Sequence, residues 1–301
     1  MATDRHHNHG SAVDSRPVRA DAGEHSTRDI HRPARGDDPI PDERRSRGEL
    51  YSDLRDSGAA VDQGPRSSPD GPRTTNEGAW EWKGLRLEPD ANRIADEELS
   101  ARRKAEGRTG DGSYGDHGIT PITPAMRRVE ARLEHGTLVP DTEKFALKSP
   151  DRFKEKLAKL IERRPDSSAR ELAREIHDGI RYTFLFETQH YVSETQSVCT
   201  GLTNDKYELA RLANLWDGDE YKGINSRWSD PSSGQFFEVQ FHTPGSWDAK
   251  QRTHDTYEKI NNPATPIEEV ETLRAFQCTV SSSIQHPDRW TEITDYRKYG
   301  T

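Results

Sequence analysis

Four cations open one helical stretch of this chain. Lys148, Arg152, Lys154 and Lys156 lie at or just inside the start of a run, 150–163, in which Phe153, Leu157, Leu160 and Ile161 recur at helical spacing. Positions 148, 152 and 156 are spaced by four and share a face. Cations beside a helix N-terminus suit a polyphosphate, because free backbone N–H groups and the macrodipole add to the side-chain charge. Farther on, Glu238 and Gln240 alternate with Phe237, Val239 and Phe241, which puts both polar groups on one face of a strand. A carboxylate in that setting is costly to bury unless it is paired or binds a metal. Asp178, just ahead of an expected strand at Arg181, is a second carboxylate that adjacent strands would bring to the first. Two carboxylates beside a polyphosphate pocket point to Mg²⁺ bridging phosphate oxygens. Tyr221, after the acidic turn 217–220, is a candidate to stack on a nucleobase. Each signal has a plainer reading. The basic run, ringed by Glu155, Lys159, Glu162, Arg163 and Arg164, also fits a solvated face, and Glu238 an edge strand. Asp178 also fits a helix end, and Tyr221 a core or rim residue.

The elements that must position these groups are legible in part. Helices are expected over 126–134 and 150–163, with Pro165 breaking the second. Another runs from Ser168 to about His177, opened by a capping box with Glu171. Strands are expected over 181–186, 209–216, 223–228 and 235–241, the last two joined by the turn Asp230-Pro-Ser-Ser-Gly234. Helices follow over 253–260 and 267–282. The sum is an α/β (α+β) fold, a mixed β-sheet flanked by helices. Upstream, Trp80, Trp82, Leu85 and Leu87 precede a charged helix over 89–106. This arm either packs on the main domain or docks a partner.

Composition sets the outer bounds. The chain has 301 residues, of which 30% are hydrophobic and 32% charged, with a mean hydropathy of −1.07. The poverty is uneven: residues 1–78 hold scarcely a hydrophobic pair and are expected to be disordered, since they cannot bury enough apolar surface to offset ordering entropy. The expected division is 1–78 polar region, 79–118 arm and linker, 119–301 catalytic domain. A net charge of −9 argues against general nucleic-acid binding. No apolar run reaches membrane-spanning length and no signal peptide is visible, which leaves the location between cytoplasm and an unread export route. Cys199 and Cys278 have no zinc-ligand spacing and fit free thiols, with a disulfide left open.

Taken in order, the segments resemble the synthetase domain of the RelA/SpoT family, a nucleotidyltransferase-like fold that moves pyrophosphate from ATP to the 3′-hydroxyl of a purine nucleotide. Lys148-Ser-Pro and Lys156-Leu157 resemble the family's basic helix that holds the donor triphosphate, a role the resemblance extends to Arg152 and Lys154. Gly179-Ile-Arg181 resembles its Gly-Ile-Arg, whose arginine stacks on adenine. Tyr221-Lys222-Gly-Ile-Asn225 resembles the loop whose tyrosine stacks on the acceptor base. Glu238-Val-Gln240-Phe-His242-Thr resembles the strand whose glutamate serves metal binding and activation of the acceptor hydroxyl. The segment from His254 to Lys259 resembles the family's His-Trp-x-Tyr-Lys helix. The likeness covers about residues 145–260. It implies ATP as donor, a purine nucleotide as acceptor, Mg²⁺ held by Asp178 and Glu238, Glu238 and Gln240 in catalysis, and Lys222, Asn225 and His242 beside the acceptor.

Departures are also visible. Asp178 is two residues nearer to Arg181 than the family's aspartate to its arginine. Ala146 stands where an arginine is usual, Asn225 replaces a histidine and His242 an arginine. No His-Asp hydrolase pattern precedes the domain. These features are closer to stand-alone actinobacterial pyrophosphokinases and toxin-type synthetases making (p)ppApp or (p)ppGpp, for which a neutralising immunity protein is an expected partner. Two rivals stand beside this reading: a toxin that pyrophosphorylates the tRNA 3′ end, and an inactive synthetase-like module that binds a nucleotide or partner.

Overall fold

In the computed structural model, which describes residues 71–107, 121–262 and 265–298, a six-stranded sheet carries the main core. In chain order its strands are β4 (Gly136–Leu138), β5 (Arg181–Phe186), β6 (Glu208–Asn214), β7 (Ile224–Ser229), β8 (Phe236–His242) and β9 (Tyr296–Arg297). They lie in the order β4-β5-β8-β7-β6-β9. Only β5 and β8 run parallel; the other pairings are antiparallel. The sheet is therefore mixed and flanked by helices, as expected. Of the expected disordered region 1–78, residues 1–70 lie outside the described residues, as does the linker 108–118; residues 71–78 are described and hold a two-residue strand, Arg73–Thr74, paired with 80–81.

Strand β8 shows why the sheet has one dry and one polar face. Phe237, Val239 and Phe241 are fully buried, while Glu238 and Gln240 point to the opposite side. Phe241 stacks on Phe184 and Phe186 of β5. The β7–β8 turn is the one read from sequence: Asp230 accepts from Ser232 N at 2.9 Å, and Gly234 adopts φ +68.

The dry face is covered by α2 (Ile122–Glu130) and α6 (Tyr191–Asn204). Neither matches expectation. The helix expected at 126–134 instead starts at Ile122 behind Pro121, with Pro124 tolerated in the first turn where no backbone donor is needed. Helix α6 buries Tyr191, Val198 and Leu202, but Thr195 interrupts that stripe and Ser and Thr fill much of the rest, so the pattern is weak in sequence. Thr195, Ser197 and Thr203 return their hydroxyls to carbonyls four residues back. Strand β4 and helix α7 (Pro244–Arg252) also went unread, the latter opened by Thr243 with Pro244 behind it.

The arm is part of the body. Strands β1 (Arg73–Thr74), β2 (Trp80–Trp82) and β3 (Leu85–Leu87) form a small antiparallel sheet ahead of α1 (Pro89–Glu106). Trp80, Leu87, Ala95 and Leu99 enclose a second core with Phe153 and Leu157 of α4 (Pro150–Arg163) and Leu172 and Ala173 of α5 (Ala169–Arg174). The arm packs on the body as the first of its two readings held. Helix α5 begins with the expected capping box between Ser168 and Glu171. After α7 come α8 (His254–Ile260) and α9 (Ile267–Ser282). A four-residue helix, α3 (Thr142–Phe145), precedes α4. Both cysteines are free.

Candidate active site

A cavity of about 710 Å³ opens on the polar face of the sheet, between β5, β7 and β8 and helices α4, α7 and α8. One bank is basic. Ser149 caps α4 by accepting from Arg152 N, and Pro150 occupies the first helical position. Phe153 and Leu157 turn inward, which leaves Lys148, Arg152 and Lys156 on the cavity side. Lys148 N donates to Gly179 O at 2.9 Å, and Arg181 N to Ala146 O at 2.8 Å. This backbone pairing brings the start of α4 against the turn that carries Asp178. The Asp178 carboxylate meets Lys148 Nζ at 3.2 Å and Lys156 Nζ at 2.7 Å. Burial opposes its charge, but Lys148, Lys156 and Arg181 hold its pKa far below the ordinary carboxylate range. Burial pushes the Lys148 ammonium pKa down, against the pull of Asp178.

The arm buttresses this bank. Arg102 of α1 is 2% exposed and donates to Ala173 O at 2.9 Å and Ile176 O at 3.4 Å, just ahead of Asp178. A Cβ on Gly179 would come within 2.5 Å of Arg102 Nε, so any side chain there would force the guanidinium to shift. Trp80 Nε1 donates to Asp151 at 3.1 Å, and Lys83 pairs with Glu155.

The facing bank is a chain of hydrogen bonds. Glu238 sits opposite Arg181 in the β5–β8 register and opposite Arg227 in β7–β8. Gln240 Nε2 donates to Glu238 Oε1 at 2.7 Å, and Lys250 Nζ of α7 donates to Gln240 Oε1 at 2.6 Å. The amide orientation is fixed at both ends, since the lysine can only donate and an ionised glutamate only accept. Burial, then Arg181, holds the Lys250 pKa well down, with Glu238 pulling the other way. Beside this chain, the Tyr221 hydroxyl donates to Asn225 Oδ1 at 2.8 Å and lies 2.8 Å from His242 Nε2. With that donor in use, Nε2–H of a neutral His242 gives to the phenol oxygen, and Nδ1 accepts from Ser246 Oγ at 2.9 Å. Burial holds His242 neutral, its pKa well below the usual histidine value. Gly223, at φ +151, lets the loop turn where a Cβ would meet Phe241 O at 2.9 Å.

The cavity therefore gathers Lys148, Arg152, Lys156, Asp178, Arg181, Tyr221, Asn225, Glu238 and Gln240. Three expected residues fall elsewhere. Lys154 does not line it: two residues on from Arg152 it faces the opposite way on the helix, and its ammonium pairs with Asp96 of α1 at 2.7 Å. His242 is fully buried behind Tyr221, so it orients the tyrosine and does not face the cavity. Lys222 turns away and donates to Trp216 O at 2.9 Å. Lys250, Arg227 and His177 line the cavity and were not singled out from sequence. Lys250 has a signal in hindsight, since it sits one helix beyond the strand of Glu238. Of the segment 254–259, His254, Tyr257 and Glu258 line the cavity, and Glu258 pairs with Arg152 at 2.8 Å. Asp178 and Glu238 offer two carboxylates to the same cavity, with Glu238 N donating to Ile180 O at 2.9 Å, two residues from Asp178. A hard cation prefers such a pair of oxygen donors, so the residues present fit Mg²⁺.

No family model and no curated protein matches the chain. Solved structures do resemble it. One is the Type VI effector Tas1, crystallised with its immunity protein: 17% identity over 63% of this chain and 97% of that one, TM-score 0.38. Another is small alarmone synthetase 1 from Bacillus subtilis: 14% identity over 62% and 90%, TM-score 0.39. A GTP pyrophosphokinase family protein from Streptococcus pneumoniae is similar at 14% identity over 65% and 89%, TM-score 0.38. These likenesses are distant, and what the cavity can do rests on its own groups. Among the described residues, no helix is long and apolar enough to cross a membrane.

Proposed function

We propose that this protein transfers pyrophosphate from ATP to the 3′-hydroxyl of a purine nucleotide. The observation that supports it best is the meeting, in one cavity, of a basic helix start with a glutamate held in place by the Gln240–Lys250 chain. Lys148, Arg152 and Lys156 bind the β- and γ-phosphates, exchanging Asp178 and Glu258 for phosphate oxygens. Arg181, exposed at the head of β5, stacks on the adenine. Tyr221 presents its ring to the acceptor base, its hydroxyl fixed by Asn225 and His242. The acceptor hydroxyl lies against Glu238, which takes its proton as the 3′-oxygen bonds to the β-phosphorus. The bond from that phosphorus to the oxygen bridging the α-phosphorus breaks, and AMP leaves. Asp178 and Glu238 would hold Mg²⁺, which supplies charge neutralisation at the phosphate oxygens. Fixed cations and an oriented base account for most of such a rate enhancement, because phosphoryl-type transfer asks chiefly for positioning and electrostatics.

The test is a product assay on the full chain; a fragment starting at 120 would lack the arm's half of the second core. The chain is incubated with γ-³²P-ATP and Mg²⁺ and, separately, AMP, ADP, GMP, GDP, GTP and uncharged tRNA. A labelled 3′-pyrophosphorylated mononucleotide, absent with Glu238→Gln, supports the proposal and identifies the acceptor. Label on tRNA alone replaces the acceptor class. Absence of transfer to every acceptor leaves the inactive binding module as the reading.

A further inference from the structure

We propose a second metal site, for a borderline divalent ion such as Zn²⁺, formed by His135, Glu187 and His190 at the end of β5 remote from the cavity. One ligand atom from each residue lies within 4.8 Å of the others. Glu187 follows β5, six residues beyond Arg181, so it stands about 20 Å along the strand from the cavity's edge. The site is thus independent of the transfer chemistry.

Three features carry the assignment. First, His135 Nδ1 and Glu187 Oε2 are 3.6 Å apart. Two ligands on a tetrahedral zinc, each at about 2.0–2.2 Å, stand about 3.4 Å apart, so this pair already has the spacing of one edge. Second, the other nitrogen of His135, Nε2, stands 4.0 Å from the exposed Glu134 carboxylate, beyond hydrogen-bond length but within reach of a rotamer change of that free side chain. A metal-bound histidine characteristically turns its remote N–H toward a carboxylate, which fixes the tautomer and strengthens the ligand. Third, the backbone around all three ligands is pinned. His135 N donates to Glu194 Oε1 at 2.9 Å, Glu187 N to His135 O at 3.1 Å, and His190 N to Glu187 O at 3.0 Å. Gln189 Nε2 holds Glu187 Oε2 at 3.2 Å.

The His135 and His190 rings stack with centroids 3.6 Å apart and planes 10° from parallel. An imidazole lone pair lies in its ring plane, so a shared ion requires one ring to turn about its side-chain bonds. Both side chains are only half-buried, so neither ring is enclosed by the core. Two imidazoles and one carboxylate select zinc-like ions over Mg²⁺, which favours oxygen ligands and retains its water. Three protein ligands leave the fourth position to water. Bound metal would tie the edge strand β4 to the turn that starts α6.

The site is tested by titrating the full chain and its His135→Ala/His190→Ala variant with ZnCl₂, with MgCl₂ as the comparison cation. Residues His6, His7 and His9 are common to both chains, so the difference isolates the site. The expected result is one Zn²⁺ equivalent per chain lost in the variant. Zn²⁺ should also raise the thermal midpoint of the wild type by several degrees more than that of the variant, and equal Mg²⁺ should give no such difference. Glu187→Gln, which keeps both rings, should weaken Zn²⁺ binding at least tenfold and covers the case of a poorly folded double variant. Equal stoichiometry and affinity in wild type and Glu187→Gln, or the same response to Mg²⁺, would overturn the proposal. None of these readouts depends on pyrophosphate transfer, so the two proposals stand or fall separately.

Discussion

Along α4, Lys148 and Lys156 share Asp178, and Arg152 is divided between Glu155 and Glu258, so every one of these cations meets a carboxylate, with Lys156 and Glu258 the most exposed members. Across the cavity, Glu238 is fixed by Gln240, itself held by Lys250, and Tyr221 by Asn225 and His242, through directed hydrogen bonds in which Gln240 and His242 are buried. The first bank can exchange one anion for another, because phosphate oxygens entering the cavity give each cation a new charge-assisted partner as its carboxylate is released, and the exposed Lys156 and Glu258 ends of the bank are screened by salt. The second cannot rearrange without stranding a buried polar group. One bank is built to take up a polyphosphate, and the other to hold an acceptor still.

The largest expected effect tests the rigid bank. Glu238→Gln should lower transfer by two to four orders of magnitude, as loss of a positioned base does. Its urea midpoint should stay near wild type, because the amide still fits beside Gln240. Next is the support behind the exchanging bank. Arg102→Ala leaves the buried Glu98 carboxylate with only Arg174, 3.6 Å away, and frees the Ala173 and Ile176 carbonyls, and should cost about 3 kcal/mol in urea unfolding, the lower end for breaking a buried pair. A loss below 1 kcal/mol would make the arm an accessory and not a wall of the donor bank. Lys148→Ala should raise the ATP KM about 10- to 100-fold, the scale of one charge-assisted contact, with the difference shrinking as salt is added. Tyr221→Phe should cost about 1–3 kcal/mol of stability through the unpaired His242, and that loss should be indifferent to salt. If both variants respond equally to salt, the contrast between the banks fails.

The smallest effect is a pH dependence. Burial, then Arg227, holds the His177 pKa down to about 4, below its ordinary 6.5. Below pH 6.5 the unfolded chain gains a proton that the folded one refuses, so stability falls from pH 6.5 to about 4. Allowing for its partial exposure, the loss is on the order of 1 kcal/mol. A His177→Gln chain should show a flatter profile in that window when unfolded by urea across a pH series.

Much of the frame was legible. Alternation at 236–242 fixed which side chains of β8 enter the core, the spacing of 148, 152 and 156 fixed one face of α4, and the Ser168 capping box marked the start of α5. Helix α6 was not, because Thr195 interrupts the stripe of Tyr191, Val198 and Leu202 and its many hydroxyls, satisfied within the helix, blur the pattern. Lys154, Lys222 and His242 were misplaced for another reason. A motif tells which residue types are near one another, but a turn of 100° per helical residue, or a loop closing over a side chain, decides which of them meets the cavity.

By itself the sequence determined the mixed sheet, the basic helix start and the polar face of β8, all of which follow from local periodicity and capping. Only the tertiary structure decided that the arm's Arg102 stands behind Asp178, that Lys250 reaches back to Gln240, and that His242 serves Tyr221 from within. Such pairings join groups that no local pattern links, and they form because burial obliges each polar group to find partners within reach.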